Sequence, residues 1–172
     1  MNPAHRPQSV LLAQLRERIR RAFGNVPKPD ADDIAGHDCE ECAEIRAAFA
    51  GQDWHNLPDA LLEKHHSDLP LFSAQALPFF LPAYLLYAAQ HFDPHTSVTE
   101  FTIYHLTPRE GDDEVTRDYY RARLRFLTAE QMDIVNDFLQ IVRESEDFRI
   151  YLGDVGPAKE RLNKYWEHGT FE

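Results

Sequence analysis

Between Ala76 and Ala89 the chain reads Ala-Leu-Pro-Phe-Phe-Leu-Pro-Ala-Tyr-Leu-Leu-Tyr-Ala-Ala, without one charged residue. A segment apolar on all sides needs cover on all sides, so this one predicts a buried central helix around which the rest must pack. It falls short of the roughly 18–20 unbroken apolar residues that cross a bilayer. Pro78 and Pro82 each lack a backbone N–H, and the residue before a proline resists the α conformation. The helix is therefore expected to be kinked or to begin late, over about 79–91.

The flanking chain offers helices able to cover it. Leu11, Leu12, Leu15, Ile19, Ala22 and Phe23 share one face of a helix over about 10–23, which Gly24 ends. After a loop over 25–36, Asp38 with Glu41 reads as a capping box opening a helix of about 39–50, striped by Cys42, Ile45, Ala48 and Phe49. Trp54 follows as a core anchor. Pro58 starts a short helix over about 58–66. Leu69-Pro70-Leu71-Phe72 reads as an extended link, and Ser73 as a cap.

Beyond the central segment, Ser97 with Glu100 suggests a second capping box and a helix over about 98–106, although Val98, Thr99, Thr102 and Ile103 also suit a strand. Residues 109–118 read as an exposed loop. Residues 119–127 fit either helix or strand, with alternating Arg121, Arg123 and Arg125 hinting at an extended piece. Thr128 with Gln131 opens a helix over about 129–144, with Met132, Val135, Phe138, Leu139 and Val142 on its core face. Phe148, Ile150, Tyr151 and Leu152 form a short apolar patch. Gly156-Pro157 begins a last helix over about 157–167, with Leu162, Tyr165 and Trp166 turned inward. The expected fold is all-α: one irregular domain over 1–172, with six or seven helices and a loosely ordered tail over 1–8.

Charge narrows the function classes. The net charge is −11, distributed unevenly. Residues 1–28 balance at +5, whereas residues 29–68 balance at −9. An acidic field repels nucleic acid and attracts cations or basic surfaces. Arg16, Arg18, Arg20 and Arg21 read as cations facing the helix dipole and the acidic segment rather than as a nucleic-acid patch. The N-terminus lacks the apolar core of a signal peptide, so a cytoplasmic, non-membrane protein is expected. The two cysteines, Cys39 and Cys42, make no disulfide framework.

The densest set of soft ligand atoms is His37-Asp38-Cys39-Glu40-Glu41-Cys42. Zinc favours thiolate and imidazole, and Cys-x-x-Cys is a common half-site. His37, Cys39 and Cys42, with a fourth ligand from His65, His55 or His66, would form a structural or hydrolytic zinc site. Alternatively, Cys39 in the first turn of a helix is a redox or nucleophilic thiol, opposed by Asp38, Glu40, Glu41 and Glu44. In the blandest reading Cys42 is a small buried hydrophobe. Asp112-Asp113-Glu114 lacks calcium-loop spacing. No phosphate loop, nucleophile elbow or His-Glu-x-x-His is present, so no enzyme class is indicated.

Several stretches together resemble a bacterial family of domains of unknown function. They are His37-x-Cys39-x-x-Cys42, Trp54, Leu69-Pro70-Leu71-Phe72-Ser73, Phe80-Leu81-Pro82-Ala83-Tyr84-Leu85, Phe126-Leu127-Thr128-x-x-Gln131 and Tyr165-Trp166. The resemblance covers most of the chain from about residue 15, and Leu81-Pro82-Ala83-Tyr84-Leu85 is its most specific part. It implies an intact fold and transfers no activity. The expected function is an interaction protein that binds and neutralises a basic protein partner, as an immunity protein does. Asp30, Asp32, Asp33, Glu40 and Glu44 form its contact surface. The alternative is the zinc protein.

Overall fold

The computed structural model describes residues 7–108, 113–153, 156 and 159–168, without the side chains of 160, 161 and 166–168. The described residues form an all-α, single-domain bundle. Its helices are α1 (Gln8–Phe23), α2 (Glu40–Phe49), α3 (Asp59–Lys64), α4 (Ala76–His91), α5 (Ser97–Leu106), α6 (Glu114–Leu124), α7 (Ala129–Glu144), α8 (Glu146–Leu152) and α9 (Lys159–His168). Among the described residues the only β pairing is an isolated antiparallel bridge between Ala35 and Phe72.

The central helix is α4. All but Leu86, Gln90 and His91 of its sixteen residues are buried. It packs between α1 and α5; α1 in turn packs on α7, which carries α8 and α9. The helix begins at Ala76 rather than near 79 and runs through Pro82. Pro78 falls in the first turn, where backbone N–H groups have no intrahelical partner, so its missing donor costs nothing. Pro82 removes one ladder bond, which burial on every side outweighs. Ser73 caps the start as expected, its Oγ accepting the N–H of Ala76 at 3.0 Å.

An aromatic cluster lies where α2, α4 and the link before α4 meet. The Phe49 ring stands edge-on to Phe72 and to Phe80, both at 5.0 Å, and Phe72 stacks on Phe80 at 5.1 Å. Trp54 is buried, as expected of a core anchor, and the turn it opens, Trp54–Asn56, packs on α4. The link itself is a 3-10 turn at Leu69–Leu71, not an extended piece.

Two helices exceed the expected six or seven. Residues 119–127 fitted either helix or strand, with the alternating arginines hinting at an extended piece, and 109–118 read as a loop; α6 forms across both. Asp113 Oδ1 accepts the N–H of Thr116 at 2.8 Å and caps it, and Tyr120 and Leu124, one turn apart, are its buried residues. Asp113 is thus a cap, and residues 109–112 of the expected loop lie outside the described residues. The other unexpected helix is α8. Only Phe148 is fully buried in it, while Ile150 and Tyr151 are exposed, so its seven residues carry too little periodicity to show.

Caps account for the other differences. The Thr128–Gln131 capping box forms in full. The Ser97–Glu100 box does not: α5 starts one residue earlier, with Thr96 at the N-cap position, and the Thr96 side chain caps no backbone N–H but donates from Oγ1 to Thr99 Oγ1 at 2.6 Å. The expected tail over 1–8 falls outside the described residues for 1–6, and Gln8 already belongs to α1. In α9 Leu162 and Tyr165 are buried; the side chain of Trp166 is outside the described residues.

One half-buried titratable pair joins α5 to α6. His105 has its Nε2 enclosed with no hydrogen-bond partner, in a small space that Arg123 and Tyr120 also line. Burial first, and the Arg123 charge second, push the imidazole down to about 4. A histidine whose native pKa lies below its unfolded value stabilises the fold fully above about 6.5, and that stability is lost as pH falls towards about 4. Allowing for the part of the ring that meets solvent, the loss is about 2 kcal/mol. Urea unfolding at pH 7 and pH 4 checks this against His105→Gln: the advantage of the native chain should shrink on acidification. A constant gap would place the acid sensitivity elsewhere.

Candidate functional site

The carboxylates of residues 30–44 are exposed on a loop held to the core and on the start of α2. A 3-10 turn at Ala31–Asp33 packs against α2. Ile34 and Ala35 are buried and pin the loop: the Ser73 N–H donates to the Ile34 carbonyl at 2.9 Å, and the Gly36 N–H to Leu71 at 3.1 Å. From α2, Arg46 reaches back, donating to the carbonyl of His37 at 3.0 Å and lying 3.6 Å from Asp38. Asp30, Asp32, Asp33, Asp38, Glu40, Glu41 and Glu44 are all exposed. Glu40 and Glu41 sit in the first turn of α2, where the helix dipole favours anions.

The arginines of α1 do not neutralise this face, contrary to the expectation from charge balance. Arg18 bonds to Asp133 at 2.7 Å and to Asp137, and Arg21 to Glu130 at 3.2 Å, all on α7. Lys159 joins the same pair of aspartates, 2.7 Å from Asp133. Hydrogen bonds from Lys159, then Arg18, hold the Asp133 carboxyl below the usual range. Among the described residues, only Asp38 of the seven carboxylates has an ion pair, the long one to Arg46.

The cysteines stand at the edge of this face. Cys39, not Asp38, is the N-cap of α2, and its Sγ accepts the N–H of Cys42 at 3.3 Å. Sulfur is a weak acceptor, which is why an oxygen cap one residue earlier seemed preferable. Cys39 is exposed and Cys42 fully buried. Burial, and then a hydrogen bond shared with Cys39, push the Cys42 thiol up, while the backbone of His37 acts in the opposite direction.

The four suggested zinc ligands are not gathered. His37 is exposed on the loop. His65 is buried elsewhere, its Nδ1 at 2.7 Å from Asp68, its ring edge-on to Phe49 at 5.3 Å, and its carbonyl accepting the Tyr84 hydroxyl at 2.8 Å. A carboxylate only accepts, so Nδ1 carries the hydrogen and the enclosed Nε2 has no partner. Among the described residues, no three His, Cys, Asp or Glu side chains are grouped so as to hold a metal ion. His66 donates through Nδ1 to the Glu63 carbonyl at 2.8 Å, a helix-end role. His55 stacks on Trp54 at 3.7 Å and bonds to Asp53.

Trp54, His55, Asp59, Tyr87, Gln90 and Arg20 line a cleft that is open to solvent. Tyr87 donates to Glu63 at 3.0 Å, and burial pushes its phenol up to about 12. No helix of the described residues is long and apolar enough to cross a membrane.

A family model described as a family of unknown function (DUF6714) matches residues 11–170. No curated protein and no solved structure matches the chain.

Proposed function

The chain belongs to the DUF6714 family of unknown function, and from its surface we propose that it is a cytoplasmic interaction protein that binds and neutralises a basic protein partner, in the manner of an immunity protein. One observation carries this reading. Asp30, Asp32, Asp33, Glu40, Glu41 and Glu44 lie exposed with no ion pair among the described residues, while Arg18 and Arg21 of α1 pair with α7. A face of one sign that the fold does not neutralise raises the encounter rate with a surface of opposite sign. The loop beneath is held by Ile34, Ala35 and Arg46, so the charges are presented on a rigid support. Pre-organisation of this kind limits the ordering cost of association.

The test is capture from the native host with the tagged full chain, followed by kinetics with the recovered partner. Reversing Asp30, Asp32, Asp33, Glu40 and Glu44 to lysine should lower the association rate about 100-fold at low salt. Raising the salt should shrink that difference, because screening acts on exposed charges. The melting temperature should stay close to that of the parent chain, since exposed and unpaired side chains contribute little to stability. Unchanged capture by the reversed variant would remove the electrostatic reading.

A further inference from the structure

We propose that Cys39 and Cys42 are a reversible dithiol–disulfide couple, with Cys39 as the sulfur that exchanges with positively charged disulfides. The couple is independent of the partner reading above. Three features of the geometry support it. First, Cys39 Sγ lies 3.3 Å from the backbone nitrogen of Cys42, so the sulfur of Cys39 is folded back onto the residue that carries the second thiol. An N-cap and the residue three further on stand about 5–6 Å apart at Cα, a span that a disulfide bridges without moving the backbone. Second, accessibility divides the roles: Cys39 is exposed to an incoming reagent, whereas Cys42 is fully buried. Third, Cys39 is the N-cap of a ten-residue helix, and the N–H of Cys42 fixes its sulfur at the helix end rather than leaving it free in a loop.

The exchange balances as written. The Cys39 thiolate attacks one sulfur of a disulfide R–S–S–R; the S–S bond breaks, a Cys39–S–S–R bond forms, and one thiolate leaves. Cys42 then gives up its proton and attacks Cys39 Sγ, forming the Cys39–Cys42 bond and releasing the second thiolate. The two protein thiols are oxidised, the reagent is reduced to two thiols, and no other oxidant is needed.

The surroundings select the reagent. Asp38, Glu40, Glu41 and Glu44 surround Cys39 in sequence and are exposed, and the long contact of Arg46 to Asp38 is their one ion pair among the described residues. A dianionic disulfide is repelled by this field and a dicationic one drawn in.

Cystamine, a dication, and dithiodiglycolate, a dianion, are the probes, with intact-mass detection on the full chain. The native chain should end as the internal disulfide, with two hydrogens lost and no persistent adduct. Cys42→Ser should retain one adduct on Cys39, at least about tenfold more than the native chain. Cys39→Ser should stay unmodified, because Cys42 is shielded. A persistent adduct on the native chain, or equal adduct on the native and Cys42→Ser chains, would overturn the couple. Cystamine should react about tenfold faster than dithiodiglycolate at low salt, with the gap closing at high salt. Equal low-salt rates would overturn the charge selection and leave the couple standing.

Discussion

Replacing Phe80 with alanine is expected to destabilise the fold by about 4 kcal/mol, within the range for emptying a fully buried aromatic site. Phe80 has no exposed surface and touches three aromatic rings, Phe49 at 5.0 Å, Phe72 at 5.1 Å and Phe79 at 4.9 Å. Each of those contacts joins α4 to a different neighbour or stiffens α4 itself, so the site has little freedom to collapse after truncation. For a domain of this size the melting temperature should drop by about 12 °C. The internal control is Phe126→Ala. Phe126 is 45% exposed, and its ring meets mainly the guanidinium of Arg125 at 4.6 Å. It should cost about 0.5 kcal/mol or less. Equal losses for the two variants would mean that α4 is not the centre of the core.

The second large effect is expected at Arg123. Its guanidinium donates to the carbonyls of Leu69, Pro70 and Phe72, the last at 3.3 Å. Those carbonyls belong to the turn that carries the chain from α3 into α4, and one cation on α6 satisfies all three. Arg123→Met keeps much of the apolar stem and removes every donor, leaving the carbonyls without it. The expected cost is about 3 kcal/mol, because a charged donor is lost and its acceptors remain enclosed. Arg123→Lys should recover less than half of this, since an ammonium cannot reproduce the planar fork. His105 supplies a second readout. Burial is the main cause of its low value and the Arg123 charge the lesser one, so in Arg123→Met the ring should titrate somewhat above about 4. A lysine variant as stable as the parent would show that the fork geometry is unimportant.

Long amphipathic segments were legible before any coordinates. α7 spans Ala129–Glu144, the very bounds that the Thr128–Gln131 box and the apolar spacing implied. α1 came within two residues of its expected start, and α4, apolar on every side, was legible as the buried centre although it begins three residues before the expected start. Short elements were less legible. α8 has one fully buried anchor, and the arginines of α6 concealed the Tyr120–Leu124 pair. Cap positions shifted by one residue at α2 and α5, where Cys39 and Thr96 stand in place of Asp38 and Ser97. Neighbouring capping side chains differ by about 1 kcal/mol, which tertiary contacts easily override.

At the candidate site the same division holds. The excess of carboxylates over 29–68 and the spacing of Cys39 and Cys42 are properties of the chain, and so is the apolar run that had to become a core. Which anions the α1 cations meet is not, because Arg18 and Arg21 pair with side chains more than a hundred positions away. Arg18 reaches Asp133 and Asp137 on α7 only because α1 packs there, and the acidic face is left unneutralised by that choice. Tertiary structure alone likewise exposed Cys39 while burying Cys42, and turned His65 away towards Asp68. Periodicity reports which face of an element avoids water. It cannot report what that face meets, since partners are chosen by packing across the whole chain.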